Sequence, residues 1–236
     1  MNFIRPHHKC IGRVLKNLNA NLLKEHQCLF GRGTAIALKF GEYRESVDID
    51  FLVSDLSAYR ALRNLVRGGN GIAAIMTDVR EGVFQLSDVR ADQYGMRTKI
   101  SVAGQSIKFE IVLEGRISLD RPGKRDEILG VATLTQLDMA VSKLLANSDR
   151  WADVGVHCRD VIDLAMMNLN KPVLQKAVEK AETAYGEAIL IDLTRAVDQI
   201  QERDGMLEKC MTAMDVCVPR ALLWQNINKL RKVMND

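Results

Sequence analysis

The sequence contains no apolar run long enough to cross a membrane. A membrane-spanning helix needs about 20 consecutive apolar residues, and no stretch of this chain approaches that length. The N-terminal segment MNFIRPHHKC also lacks the apolar segment that a signal peptide requires. These absences argue against membrane-embedded and secreted classes of protein. We expect a cytoplasmic protein with no membrane partner.

The cysteines are odd in number and form no Cys-x-x-Cys pair. This pattern argues against a disulfide framework and against a zinc site, and it favours reduced, mostly buried thiols. The five positions are Cys10, Cys28, Cys158, Cys210 and Cys217. His7 and His8 are adjacent and close to the N-terminus, and we interpret them as solvated residues rather than as metal ligands.

The charge of the chain is nearly balanced. Its 33 basic and 30 acidic residues give a formal net charge of +3, which is too small to establish nucleic-acid binding by itself. A hydrophobic content of 47% with 27% charged residues is typical of a folded globular protein. The 236 residues can bury a core in one compact domain or in two smaller ones.

A predicted strand carries two aspartates separated by one residue. Alternate side chains of a strand point to the same face, so Asp48 and Asp50 should project together. Val47, Ile49 and Phe51 should then point into a core. Two adjacent carboxylates repel each other, and a divalent metal is the usual reason for keeping both ionised.

A glycine turn precedes this strand. Gly31 and Gly33 allow backbone amides to approach a phosphate closely, and a helix predicted to begin near Thr34 adds the positive end of its dipole. A phosphate-binding turn followed closely by a pair of metal-binding acids is the layout of a nucleotidyltransferase. The alternative is a core strand with surface aspartates after an ordinary glycine turn.

The sequence of this region resembles that of the AbiEii/AbiGii toxin family of DNA polymerase β-like nucleotidyltransferases. The matching residues read G-x-G-T-A-x-A-L over 31–38 and R-x-S-x-D-I-D-F over 44–51. The resemblance implies an α/β (α+β) fold with a nucleotidyltransferase domain, built on a small mixed sheet, over residues 1–125. A helical domain over residues 126–236 should complete the active-site cleft. Arg32 stands where the family often has a second glycine, and it either contacts phosphate or crowds the turn.

A predicted hairpin supplies a third acid. Residues 97–101 and 106–112 alternate on either side of a glycine turn, and Glu110 lies on the second arm. Polymerase β-like enzymes carry a third metal-binding carboxylate on the strand beside the Asp-x-Asp strand. The resemblance therefore implies that Glu110 binds metal with Asp48 and Asp50. The alternative is a solvent-facing glutamate on a half-exposed strand.

A second block of the family resemblance lies on two predicted helices, one beginning at Thr135 and one running from His157 to Leu169. The block reads K-L-L-A-N-S-D-R over 143–150 and R-D-V-I-D-L-A over 159–165. It implies that Lys143 stabilises the leaving pyrophosphate and that Asp160 holds this lysine or acts on the acceptor hydroxyl. Supporting roles fall to Arg44, Arg150 and Asp163. The alternative for Arg44 is a solvated loop arginine, and the alternative for Asp163 is a structural ion-pair network with Arg159 or Arg150.

The resemblance also implies a reaction. A nucleoside triphosphate, bound with Mg²⁺ or alternatively Mn²⁺, would donate its nucleoside monophosphate to a hydroxyl acceptor, and pyrophosphate would leave. The acceptor expected for the toxin family is RNA, particularly tRNA, and a cognate antitoxin is the expected partner. Nucleotidylation of a protein or small molecule, and nucleotide or RNA binding without turnover, are the alternatives. The expected phosphate contacts are Gly31, Arg32, Gly33, Thr34, Ser46 and Lys143.

Overall fold

The computed structural model describes residues 2–77, 82–156 and 158–234. The chain forms two compact units. Unit 1 comprises Met1–Lys39 and Ser46–Thr135, and unit 2 comprises Phe40–Glu45 and Gln136–Asp236. The sequence predicted one boundary after residue 125. In the structure the first unit continues for ten more residues, and a short segment before the Asp-x-Asp motif belongs to the second unit.

Unit 1 contains four α-helices and eight strands among its described residues. The helices are α1 (Pro6–Asn17), α2 (Ala20–Glu25), α3 (Arg32–Lys39) and α4 (Leu56–Arg67). The strands are β1 (Leu29–Phe30), β2 (Ile49–Val53), β3 (Val83–Gln85), β4 (Arg90–Ala91), β5 (Gly95–Val102), β6 (Gln105–Leu113), β7 (Glu127–Ile128) and β8 (Val131–Ala132). A single 3₁₀ turn spans Gly71–Ile75.

Six of these strands form one small mixed sheet, as the sequence predicted. The strand order is β1-β2-β6-β5-β3, with β4 also paired to β5. The β2–β6 pair is parallel, and the other pairs in this sheet are antiparallel. In the β2–β6 register Ile49 lies opposite Phe109 and Asp50 lies opposite Glu110. The sheet therefore places two acids side by side on neighbouring strands.

Aromatic packing and a tight turn hold this register. The rings of Phe30 and Phe51 have centroids 5.5 Å apart, and those of Phe51 and Phe109 are 5.6 Å apart. The β5–β6 hairpin closes through Ala103 and Gly104, which both have positive φ, as a two-residue hairpin turn requires. A slip of one residue would move these aromatic side chains out of the core, so their burial disfavours other registers.

Val47 does not enter the core, contrary to the sequence expectation. Strand β2 begins at Ile49, so its two-residue alternation does not extend back to Val47, whose exposed fraction is 45%. Ile49 and Phe51 are fully buried, as expected. Asp48 correspondingly lies just before the strand rather than within it.

The histidines near the N-terminus belong to the folded part of unit 1. His8 lies in α1 with no exposed surface, and its Nε2 accepts a hydrogen bond from the Ser46 backbone N–H at 3.2 Å. The Nε2 atom of His7 lies 2.9 Å from the Val47 carbonyl oxygen. The interpretation of these histidines as solvated residues was therefore wrong. Helix α1 packs on the sheet and brings both rings to the segment that leads into β2.

Unit 2 is helical from Gln136 onward in its described residues, apart from connecting turns, whereas its segment Phe40–Glu45 contains no helix or strand. Its helices are α5 (Gln136–Arg150), α6 (Arg159–Met167), α7 (Lys171–Tyr185), α8 (Ala188–Glu202), α9 (Met206–Ala213) and α10 (Arg220–Met234). Helix α5 packs against α6, α7 and α8, and α10 packs against α6. His157, where the second helix of the motif block was predicted to begin, lies outside the described residues. No helix in the described part of the chain has the length and apolar character needed to cross a membrane.

Gly31 is a point of close approach in unit 1. A Cβ atom added there would lie 2.7 Å from Cδ1 of Leu52 and 2.7 Å from Cδ1 of Leu134, and both leucines are buried. We expect Gly31→Ala to lower the free energy of unfolding by about 1–3 kcal/mol, because the core must move to admit the methyl group. Urea unfolding followed by circular dichroism measures this loss.

Gly115→Ala is the matched control for Gly31→Ala. Gly115 has no heavy atom within 4 Å of an added Cβ and does not need a positive φ. Its substitution should leave stability unchanged or raise it slightly. Equal losses for the two variants would contradict the close-approach argument.

Candidate active site

The centre of the candidate site in unit 1 is the pair formed by Asp50 and Glu110. The parallel register sets the two residues side by side, and their exposed fractions are 9% and 5%. Burial raises the pKa of Asp50 to about 6; Arg32 opposes this shift, whereas the negative charges of Glu110 and Asp48 add to it. The site therefore concentrates negative charge in a place with little water.

Glu110 has its own cationic neighbours. Its Oε1 accepts a hydrogen bond from Arg97 Nε at 3.0 Å and lies 3.0 Å from Lys108 Nζ. Burial works against ionisation of Glu110, but the Lys108 ammonium holds its pKa below the ordinary value. Its other carboxylate oxygen, Oε2, lies 3.9 Å from Nη1 of Arg32, and the same Nη1 is 3.7 Å from Oδ1 of Asp50.

The acid pair offers the ligand chemistry of a divalent metal. Carboxylate oxygens are the donors that Mg²⁺ and Mn²⁺ prefer, and two adjacent buried carboxylates carry a charge that such an ion would neutralise. Asp48 lies close enough to contribute to the raised pKa of Asp50. Within residues 2–77, 82–156 and 158–234, no three His, Cys, Asp or Glu side chains form a group that could hold a metal. Asp50 and Glu110 are thus in place, whereas the three-carboxylate set predicted from the sequence is not assembled.

The predicted phosphate-binding turn lies between β1 and β2. Helix α3 begins at Arg32, two residues earlier than expected, so Gly33 and Thr34 fall in its first turn. The Thr34 hydroxyl is 2.7 Å from the Ser46 hydroxyl, so two of the predicted phosphate contacts meet. The Gly31 N–H donates to the Asp50 carbonyl at 2.9 Å, which ties the turn to β2.

The second predicted group of site residues forms a buried ion-pair network within unit 2. Asp163 has no exposed surface and accepts hydrogen bonds from Arg44 Nε at 2.6 Å, Arg44 Nη2 at 2.8 Å and the Tyr43 hydroxyl at 2.5 Å. The Lys143 Nζ lies 2.6 Å from Asp163 Oδ2. Although burial disfavours ionisation, Arg44 and Lys143 hold the pKa of Asp163 well below its ordinary value.

Asp160 extends the same network. It accepts hydrogen bonds from Lys143 Nζ at 2.9 Å and from Arg150 Nε and Nη2 at 2.8 and 2.9 Å. Burial opposes ionisation here too, but Lys143 and Arg150 hold the pKa of Asp160 below its usual range. The Lys143 ammonium is thus buried between two carboxylates. Asp163 lies in an ion-pair network, as its structural alternative predicted, but its partners are Arg44 and Lys143 rather than Arg159 or Arg150. Arg44 is buried, so its interpretation as a solvated residue was wrong. The phosphate role of Lys143 stays a prediction.

A family comparison identifies the family of the chain. The family described as "Nucleotidyl transferase AbiEii toxin, Type IV TA system" matches residues 13–219. The chain belongs to the AbiEii family. It is therefore a member of a nucleotidyltransferase toxin family of type IV toxin–antitoxin systems, as the sequence resemblance indicated.

One solved structure supports the fold of this AbiEii-family chain. It is similar to a crystal structure of a candidate nucleotidyltransferase from H. pylori, with 17% identity and a TM-score of 0.50 over 97% of this chain and 92% of the other. It also matches JHP933 from Helicobacter pylori at 16% identity and a TM-score of 0.45, covering 99% and 98% of the two chains. A comparison with curated proteins finds no match.

Sequence reasoning missed several residues that this AbiEii-family chain uses to hold the site. Tyr43 stands next to a motif arginine, but nothing local indicated that its hydroxyl binds an aspartate far along the chain. His8 was excluded because of its place near the terminus. Arg97 and Lys108 could have been found from the sequence, because both lie on the hairpin that was predicted to carry Glu110. Lys108 precedes Glu110 by two residues and so shares its face of the strand.

The Asp163 network predicts how stability should depend on pH. Its folded-state pKa lies below the unfolded value of about 4, so its stabilising contribution is present above that value and is lost as the pH falls through the folded pKa. At pH 7, Asp163→Asn should lower the free energy of unfolding by about 3–5 kcal/mol, because Arg44 and Lys143 lose their buried partner. The variant's stability should also fall less steeply below pH 4. Tryptophan fluorescence during urea unfolding measures both, because Trp151 and Trp224 lie in unit 2.

Glu208→Gln is the control for loss of one carboxylate in the same unit. Glu208 pairs with Arg220 on the surface, with exposed side-chain fractions of 49% and 60%. This substitution should change stability by no more than about 1 kcal/mol. If it costs as much as Asp163→Asn, the special role of the buried network is contradicted.

Proposed function

We propose that this protein transfers a nucleoside monophosphate from a nucleoside triphosphate to a hydroxyl group and releases pyrophosphate. The observation that carries the proposal is the burial of Asp50 and Glu110 side by side on in-register parallel strands. Family membership supports the reaction class. Two buried acids placed side by side are costly, and a site that binds a divalent ion is the functional reason to retain them.

Asp48, Asp50 and Glu110 are the proposed metal ligands. Mg²⁺, or alternatively Mn²⁺, would stabilise negative charge on the phosphates and lower the pKa of the attacking hydroxyl. Asp50 and Glu110 are held by the sheet, whereas Asp48 lies one residue before β2. The rigid pair would define the position of the ion, and Asp48 would complete its coordination from the start of the strand.

The turn at the start of α3 is the proposed phosphate site. Backbone N–H groups in the first turn of a helix have no partner within the helix, and the helix dipole favours an anion there. Gly33 would leave the backbone open to a phosphate, whereas the Gly31 N–H already donates to the Asp50 carbonyl. The hydroxyls of Thr34 and Ser46 would add donors, and the bond from Ser46 N–H to His8 fixes the second of them.

The proposed acceptor is RNA, with tRNA the first candidate, and the proposed partner is an antitoxin. Membership of a toxin family supports both. Addition to a protein or small molecule would use the same metal and phosphate contacts, so the acceptor is decided by experiment. We further propose that Lys143, Asp160, Asp163, Arg44 and Arg150 stabilise unit 2, on the strength of their buried ion pairs.

The deciding experiment is incorporation of each α-³²P-labelled nucleoside triphosphate with Mg²⁺, first into total tRNA and then into a protein lysate. Wild-type protein should label tRNA with one preferred nucleotide. Asp50→Asn should reduce the label by at least about 10²–10³-fold, because the transition state loses a charged ligand. If only protein is labelled, the acceptor is a protein and not RNA. If neither tRNA nor protein is labelled although the nucleotide still binds, the protein binds nucleotide without catalysing transfer.

The same Asp50→Asn variant should remain folded. The pKa of Asp50 in the folded protein is raised to about 6, so its ionised form disfavours folding at neutral pH, and wild-type stability should rise as the pH falls towards 6 and below. Removing the charge should therefore leave the melting temperature at pH 7.5 equal to or above that of the wild type. Asp88→Asn, at an exposed position of unit 1, should keep both activity and stability. A marked loss of melting temperature in Asp50→Asn would assign Asp50 to the structure instead.

A further inference from the structure

Arg32 breaks two local rules of protein structure at once. It has a φ of 58°, in the left-handed region that favours glycine and costs other residues about 1 kcal/mol or more. It also places a cation at the first residue of helix α3, where the helix dipole favours an anion. Such departures are retained where the side chain has a function.

The Arg32 side chain is directed at the acid pair. Its Nη1 lies 3.7 Å from Asp50 Oδ1 and 3.9 Å from Glu110 Oε2, and so bridges neighbouring strands. The other oxygen of Glu110, Oε1, is already occupied by Arg97 and Lys108. Arg32 therefore faces one oxygen of each acid, and on Glu110 this is the oxygen that Arg97 and Lys108 do not contact.

The contact is electrostatic and loose. Both distances exceed the 3.2 Å or so of a good N–H···O hydrogen bond, and 38% of the Arg32 side chain is exposed. Arg44 in unit 2 shows the opposite arrangement, since its buried guanidinium forms two short bonds to one carboxylate. A cation held loosely at the edge of an acid pair can leave it when a better anion is present.

A divalent metal and the Arg32 guanidinium compete for the same oxygens. A metal bound by Asp50 and Glu110 would lie within a few ångströms of Arg32 Nη1, and the two positive charges would repel each other. A triphosphate at the start of α3 would bring several negative charges to the backbone of Arg32 itself. The guanidinium would then have an alternative partner within reach.

We propose that Arg32 is a tethered counter-ion of the Asp50–Glu110 pair. Its guanidinium neutralises the acids while the site is empty, and it moves to the triphosphate when that ligand binds, which leaves the acids to the metal. This inference rests on the proposed function. It makes metal and triphosphate binding cooperative. A bound triphosphate draws the guanidinium away from the acids, and a bound metal frees the guanidinium for the triphosphate. Arg32 is on this account a positioning residue, and it suppresses metal binding in the absence of nucleotide.

Two affinities of Arg32→Gln should change in opposite directions. Mn²⁺ binding to the nucleotide-free protein, followed by the electron paramagnetic resonance of free Mn²⁺, should become roughly tenfold tighter than in the wild type. Binding of inorganic triphosphate in EDTA, followed by calorimetry, should become roughly tenfold weaker. Lys108→Gln is the matched control, because it also removes a cation from Glu110 but does not contact Asp50. It should leave triphosphate binding unchanged.

The outcomes separate this inference from the proposed function. Mn²⁺ affinity that is unchanged or weaker in Arg32→Gln would overturn the counter-ion role, since a purely structural arginine gives no tighter metal binding. Equal weakening of triphosphate binding in Arg32→Gln and Lys108→Gln would also overturn it, because the loss would follow net charge alone. Asp50→Asn tests the foundation: if it binds Mn²⁺ as well as the wild type does, the metal site of the proposed function is itself wrong.

Discussion

The parallel pairing of β2 with β6 is the constraint on which the candidate site depends. It places Asp50 directly beside Glu110, and like charges at that spacing destabilise the fold unless a cation is near. The register is held by residues that face the other way, since Phe51 and Phe109 pack together beneath the acids. The hydrophobic effect on one face of the sheet thus maintains an electrostatically unfavourable arrangement on the other, which is how a stable scaffold can present a reactive site.

The acids of the two units show two different uses of a buried carboxylate. Asp163 is surrounded by Arg44, Lys143 and a tyrosine hydroxyl, so its charge is neutralised within the protein and its ionisation stabilises the fold. Asp50 has a second acid as its neighbour and a single loose cation, so its charge is left for an external ligand. The two motif blocks of the family therefore differ: the carboxylates of the second have their charge satisfied within the protein, whereas the charge of Asp50 in the first is available to a ligand. The contacts, rather than the residue type, distinguish structural acids from ligand-binding ones.

Much of this arrangement was predictable because it depends on local periodicity. The two-residue repeat of strands and a glycine turn were enough to predict the hairpin that carries Glu110, and two helices of unit 2 were predicted at the second motif block. The family motif then placed Glu110 beside Asp50. The contacts of Asp163 with Tyr43 and Arg44 were not predictable in this way, because about 120 residues separate the partners and no local pattern encodes such a pairing. The burial of His8 was missed for the same reason, since its partner Ser46 lies in another element. Val47 was misassigned because the strand begins later than the alternation of its sequence suggested.

Arg32 departs both from the family motif and from the backbone conformation that residues other than glycine prefer. The sequence left open whether this arginine contacts phosphate or crowds the turn, since both follow from a long cation between two glycines. The structure adds that the backbone is left-handed there and that the guanidinium lies 3.7 Å from an oxygen of Asp50 and 3.9 Å from an oxygen of Glu110. A glycine at this position would relieve the backbone strain but would leave Asp50 without its cationic neighbour, whereas Glu110 would keep Arg97 and Lys108. The strain at Arg32 is therefore offset by the repulsion that its guanidinium relieves between Asp50 and Glu110, and a ligand that satisfies the acids releases the arginine. This links the stability of the resting fold to the occupancy of the site.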